Sequence, residues 1–369
     1  MSLTRHRPRA LAAAGVLALA LTACGGDDPV PAAGPDAAAE PSAAAPPPAP
    51  DDDGQASAGV DTSSPQVLVT GLQVPWGLTF LPDGEALVTE RDTGRLLRVP
   101  AGGGAPTEVT RFDDVDAAGE GGLLGLAAGP DGLVYAYYTG QSDNRVVRFS
   151  PDSPQQREPV VTGIPKGRVH NGGRLVFGPD GDLYVGTGDS GRAELAQDDA
   201  SLGGKVLRVA ADGQVAVFSK GHRNVQGLSF DDDGRLWAVE FGPDRDDEVN
   251  MVTEGFNGGW PEATGFDDGG GRFDVPLVVW QPEEASPSGS AVVGDTLFVA
   301  ALRGTRLWQV PLDGSGGVGE PAAVLQGDFG RLRTLEQAPD GSLWVLTSNR
   351  DGRGSPAAED DRILRLPAR

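Results

Sequence analysis

The chain has 369 residues, 38% hydrophobic and 22% charged, which is the balance of a globular protein with room for one large domain or two. Its 53 acidic residues outweigh 30 basic ones for a net charge of −23, a surface that repels nucleic acid and anionic membranes; a solvated surface accounts for most of these acids, and a calcium site is the alternative use. One cysteine excludes an intrachain disulfide or a thiolate metal cluster, and 55 glycines with 30 prolines favour short strands and many turns.

In chain order, Arg5, Arg7 and Arg9 precede an apolar run from Ala10 to Leu21, too short for a resident membrane helix and suited to a signal peptide over residues 1–23. The run ends in Leu21-Thr22-Ala23-Cys24, which resembles the lipobox of bacterial lipoproteins. That resemblance implies lipidation of Cys24 and an exported, cell-envelope protein anchored to the outer face of a bacterial membrane. Residues 24–64 then collapse to Ala, Pro, Asp, Gly and Ser, with almost nothing to bury, and read as a disordered tether.

From residue 65 to 369 a repeat takes over. Phe80–Val88, Ala127–Tyr135, Val176–Tyr184, Phe230–Trp237 and Gln337–Trp344 share one pattern: a strand, an Asp-Gly turn mostly led by proline, and a second strand. Ala291–Phe298 is a degenerate sixth copy. Each copy is trailed by a third apolar strand, as in Asn144–Phe149, Lys205–Val209 and Arg362–Leu366. Six such units predict an all-β, six-bladed propeller with four-stranded antiparallel blades. An array of β-sandwiches is the competing architecture, but no sandwich signature recurs.

A hairpin is symmetric about its turn, so residues equally distant from the turn share one end of the blade. In the third unit the turn centres on Asp180, with His170 ten residues before and Asp189 nine after. The pair is expected side by side, the carboxylate fixing one imidazole nitrogen and leaving the other to accept a proton. The same count sends Arg223, Asn224, Gly242 and Pro243 to this rim from the fourth unit, Arg331 and Arg333 from the last, and the Glu120 loop from the second. With the first strand of each unit innermost, these groups ring the mouth of the central channel, where propellers place ligands. A base with its orienting acid, arginines and exposed carbonyls make a site for an anion bearing an electrophile.

These motifs, Arg168-Val-His170-Asn-Gly-Gly-Arg-Leu, Gly221-His-Arg223-Asn224-Val-Gln-Gly-Leu, Phe241-Gly242-Pro243-Asp-Arg-Asp-Asp-Glu248 and Gly330-Arg331-Leu-Arg333, resemble the soluble pyrroloquinoline quinone (PQQ)-dependent glucose/sorbosone dehydrogenase family, especially its aldose sugar dehydrogenases. The resemblance covers about residues 65–367 and implies PQQ and calcium (Ca2+) as cofactors and an aldose as substrate, oxidised at the anomeric carbon to a lactone. It implies His170 as general base with Asp189 as its partner, Arg223 and Asn224 at the quinone carbonyls, and Arg331 and Arg333 at the PQQ carboxylates. Arg303 stands where the family has lysine. Main-chain oxygens of Gly242 and Pro243 match the calcium ligands, and Glu248 matches an acid of a second, structural calcium. Three positions depart: Glu120 replaces a glutamine, Gly258 falls where relatives have a tyrosine beside the second calcium, and Phe266 is what remains of an aromatic wall over the cofactor. The electron acceptor is not named by any residue pattern.

Two other readings use the same rim. A non-catalytic propeller would bind an envelope partner or polysaccharide there, with Glu120 as the feature in its favour. A lactonase-like calcium hydrolase would need side-chain carboxylates deep in the channel rather than an arginine clamp.

Overall fold

The computed structural model describes residues 59–369, and Cys24 with the leader lies outside the described residues. Six four-stranded antiparallel sheets follow one another along the chain. Five are built from four consecutive strands each. The sixth takes its three inner strands from the C-terminal end and its outermost strand, Gln66–Val69, from the N-terminal end. Closing the ring with a strand from the opposite end of the sequence ties the first blade to the last.

Closure begins before residue 65. Val60 is buried in the sixth blade's apolar cluster and bridges to Ala368, while Asp61 N–H donates to Pro367 O at 2.7 Å. Residues 59–64, expected as the end of the tether, therefore belong to the propeller edge, because Val60 has an apolar surface to bury against Leu364 and Leu366.

The innermost strands are Pro75–Phe80, Leu123–Ala128, Arg174–Phe177, Val225–Phe230, Pro287–Val293 and Leu332–Gln337, which pack around the channel in this order. They approach so closely that glycine is required. A Cβ on Gly125 would collide with the carbonyl of Gly173 in the next blade, and one on Gly227 with that of Ser288. The strands behind them are continuous apolar runs such as Leu343–Thr347, because each is covered on both faces by adjacent blades. Trp237, Tyr137 and Trp344 fill those interfaces.

The Asp-Gly turns all lie at one end of the blades and the loops bearing the candidate residues at the other. The pairing Phe177↔Leu183 puts the third turn's centre at Asp180, and the register continues until Ser190 N–H donates to His170 O at 3.0 Å. Five of the six inner hairpins carry a β-bulge, as between Val225 and Gly227, which shifts the count by about one residue and adds twist at the channel.

Candidate active site

His170 Nδ1 lies 2.7 Å from Asp189 Oδ1. The carboxylate is 1% exposed and also accepts Gly191 N–H on Oδ1 at 2.7 Å and Trp260 Nε1–H on Oδ2 at 2.8 Å. Burial alone would raise its pKa, but these bonds outweigh it and hold the carboxyl below its ordinary value. A carboxylate at this distance can accept an Nδ1–H from His170, the tautomer that turns the Nε2 lone pair outward. His170 has φ of 55°, a left-handed backbone that a non-glycine residue keeps only when its surroundings hold it.

The other histidine has a different task. His222 is fully buried, stacked on Phe256, and bonded through Nδ1 to Glu240 at 2.8 Å and through Nε2 to Ser219 at 2.8 Å. Glu240 in turn accepts the backbone N–H of Arg223 at 2.7 Å. His222 thus fixes the strand end that presents Arg223.

Arg223, Phe241, Gly242, Pro243, Glu248, Gly258 and Trp260 line one narrow cleft. The Arg223 guanidinium donates to Phe241 O at 3.2 Å and lies over the Trp260 ring at 5.6 Å. Burial lowers its pKa, opposed by the carboxylates of Asp189 and Glu240. Asn224 is 1% exposed, with Oδ1 accepting Gly172 N–H at 3.0 Å. The Gly242 loop turns back on itself so tightly that a Cβ would collide with Arg245 O, and its N–H donates to Asp247 Oδ1 at 3.0 Å. Glu248 accepts Gly265 N–H at 2.7 Å and Asn250 Nδ2–H at 3.1 Å. Burial, then the cross-strand neighbour Glu240, push its carboxyl above the usual range. Gly258 adds no side-chain oxygen to this cleft.

A second, small cavity opens at the channel mouth between Trp76, Arg91, Glu120, Asn171, Gly172, Gln226, Phe241, Leu302, Arg333 and Arg353. Arg333 Nη1 donates to Gln226 Oε1 at 3.3 Å, and its Nε is buried with no partner among the described residues. Burial lowers the Arg333 pKa to about 9, against the pull of Asp351. Arg331 is held aside, its Nη2 and Nε on Asp351 Oδ2 at 2.7 and 3.1 Å. Asp351 is kept below its ordinary pKa although burial opposes this, chiefly by the Arg331 charge.

Burial works against a charged Glu120, but Oε2 accepts His170 N–H at 2.9 Å and Oε1 accepts Arg353 Nη2–H at 2.7 Å, so the net effect holds its pKa below the usual carboxylate value. Two expected members stand apart. Arg303 is 58% exposed on its side chain and paired with Glu283 at 2.5 Å, and Phe266 is 67% exposed and lines neither cavity.

Sequence reasoning missed Arg91, Trp260, Asp351 and Arg353. The hairpin count would have found Arg91, eight residues after the first turn's Asp83, and also Asn349, nine after Asp340, which holds Arg331 N–H at 2.8 Å. Trp260 and Arg353 sit in long connections where no register applies.

Fold and site define a β-propeller with an aspartate-paired histidine beside a cavity walled by arginines. The glucose/sorbosone dehydrogenase family profile matches residues 72–363, and the chain belongs to that family. It is 32% identical over 267 residues to quinoprotein glucose dehydrogenase B of Acinetobacter calcoaceticus, covering 58% of this chain and 56% of that protein. Similarity to the aldose sugar dehydrogenase YliI of Escherichia coli is 29% identity over 341 residues, 79% of this chain and 91% of that one. Among solved structures, the PQQ-bound aldose sugar dehydrogenase of Streptomyces coelicolor superposes with a TM-score of 0.77 at 47% identity, covering 83% of this chain and 98% of that one.

Proposed function

We propose that this protein is a PQQ- and calcium-dependent aldose dehydrogenase that oxidises the anomeric carbon to a lactone. The observation that carries the reading is the 2.7 Å pairing of His170 with buried Asp189 beside a cavity walled by Arg91, Arg333 and Arg353. With Arg353 balancing Glu120, the buried, unpartnered Nε of Arg333 and Arg91 on the same wall suit an anionic ligand such as a tricarboxylate.

Arg333 would meet a PQQ carboxylate, with Arg331 reaching one only if it leaves Asp351 and Arg303 only if it leaves Glu283. Arg223 and Asn224 would meet the quinone carbonyls. Among the described residues no three His, Cys, Asp or Glu side chains are grouped to hold a metal. Calcium would therefore rest on the main-chain oxygens of Gly242 and Pro243, hard donors of the kind it prefers, and Glu248 would serve a second calcium. When bound, PQQ supplies the hydride acceptor and calcium polarises it.

His170 Nε2 takes the proton of the anomeric hydroxyl, and Asp189 stabilises the imidazolium that forms. Arg223 would supply positive charge at the quinone oxygen, where negative charge would build as the hydride arrives. Trp260 holds Asp189 and flanks Arg223, coupling base and cation in one wall. The non-catalytic reading rested on Glu120 as a surplus acid, and its pairing with Arg353 removes that ground.

The test is dye-linked aldose oxidation by purified protein given PQQ and calcium, repeated after chelation and with His170→Gln. Turnover that needs both additions and vanishes in the variant while PQQ stays bound supports the assignment. No turnover at saturating PQQ and calcium refutes it. We further propose lipid anchoring at Cys24. No helix among the described residues is long and apolar enough to cross a membrane, and Cys24→Ala should move the protein from the membrane to the soluble fraction.

A further inference from the structure

Glu120 is the one acid on the walls of the cavity that also holds Arg91, Arg333 and Arg353. One of its oxygens accepts the backbone N–H of His170 at 2.9 Å, and the other accepts Arg353 Nη2–H at 2.7 Å. The first bond is part of what keeps His170 in its left-handed backbone, along with the Ser190 N–H on its carbonyl and Asp189 on its ring.

Arg353 is itself placed by the arginine-bearing blade. Its backbone N–H donates to Asp351 Oδ1 at 2.9 Å, and Asp351 Oδ2 accepts Arg331 Nη2–H at 2.7 Å. A continuous run of bonded groups therefore links His170 in the third blade, through Glu120 in the second, to Arg331 of the sixth, with Arg333 3.8 Å from the same Asp351 carboxylate. The Glu120–Arg353 contact joins residues 233 apart in sequence. Arg353 is 57% exposed on its side chain, so the pair adds little to folding stability. Its weight lies in the charge it removes from the cavity.

We propose that Arg353 is a positioning residue that neutralises Glu120, allowing an acid to hold the backbone of His170 beside a polyanionic cofactor without repelling that cofactor. This rests on the PQQ reading above. An uncompensated carboxylate within one Debye length of three others lowers affinity by about tenfold or more, and salt weakens the effect. A glutamine at position 120 would still accept the His170 N–H through its amide oxygen while carrying no charge. The two residues are thus coupled: loss of Arg353 matters only while position 120 is acidic.

The experiment is equilibrium titration of the ligand-free protein with PQQ in calcium, at low and high salt, for wild type, Arg353→Ala, Arg353→Lys, Glu120→Gln and the Glu120→Gln/Arg353→Ala double variant. Arg353→Ala should bind PQQ about tenfold or more weakly at low salt and recover at high salt. Arg353→Lys should retain most of the affinity, and the double variant should return to within about threefold of wild type. A double variant as weak as Arg353→Ala would mean that Arg353 touches the cofactor itself, and would overturn the proposal, as would an Arg353→Ala affinity equal to wild type. Failure of the wild type to bind PQQ would instead bring down the cofactor assignment, and this inference with it.

Discussion

Replacing Asp189 with asparagine isolates the base–orienter pair. Three donors converge on the carboxylate: His170 Nδ1–H and Gly191 N–H on Oδ1, and Trp260 Nε1–H on Oδ2. Asparagine offers one oxygen and one NH2 group, so one orientation sets NH2 against Trp260 and the other against His170 and Gly191. In the first, His170 keeps its tautomer but loses the negative charge that stabilises its imidazolium, a charged bond worth about 1.5–3 kcal/mol. In the second, the amide donates to Nδ1 and forces the proton onto Nε2, the atom that must accept one. Either way kcat should fall roughly 10²–10⁴-fold. One buried donor is left unsatisfied, costing about 1–3 kcal/mol, so the melting temperature should drop by a few degrees with PQQ affinity preserved. The assay is steady-state aldose oxidation beside a PQQ titration and a thermal melt. A kcat within about threefold of wild type would refute the assigned role for Asp189.

Trp260→Phe removes one donor from Asp189 and weakens the wall behind Arg223, and should lower kcat by roughly tenfold, the worth of about one hydrogen bond to a charged group. Arg333→Lys keeps a charge but loses the planar fork, and PQQ titration should show roughly ten- to hundredfold weaker binding. Glu336, on the inner strand of the sixth blade, has its pKa raised to about 7 by burial, with Arg174 opposing. A carboxyl whose folded pKa is raised binds its proton more tightly in the folded state, so it costs stability as pH climbs from the unfolded value through about 7. Glu336→Gln should therefore stabilise the protein at pH 8 relative to pH 5, by about 2 kcal/mol, read from denaturant melts at both pH values. An equal effect at the two pH values would contradict it.

The repeat and its turns were legible because each Asp-Gly turn is local and each apolar run has nowhere to go but a blade interface. Turn symmetry placed Asp189 against His170 correctly, since the third inner hairpin pairs without a bulge. The bulges in the other five come from backbones pressed together at the channel, a tertiary effect with no local pattern. Val60 escaped notice because a single buried valine at the end of a polar tract carries no periodicity. Trp260, Asp351 and Arg353 were hidden for another reason: all three sit in long loops, and Trp260 and Arg353 bond to other blades, Trp260 to Asp189 and Arg353 to Glu120, 233 residues away. Arg303 shows the converse, a basic residue at the position the motif indicates whose side chain is paired outward with Glu283.

The most direct test of the central claim is the absorption spectrum of the purified protein with PQQ and calcium, recorded before and after addition of an aldose. A bound-quinone spectrum that gives way to the reduced quinol on adding sugar, and persists unreduced in His170→Gln, is the predicted result. A protein that shows no bound quinone at saturating PQQ and calcium, or whose bound quinone is reduced equally well without His170, would contradict the account.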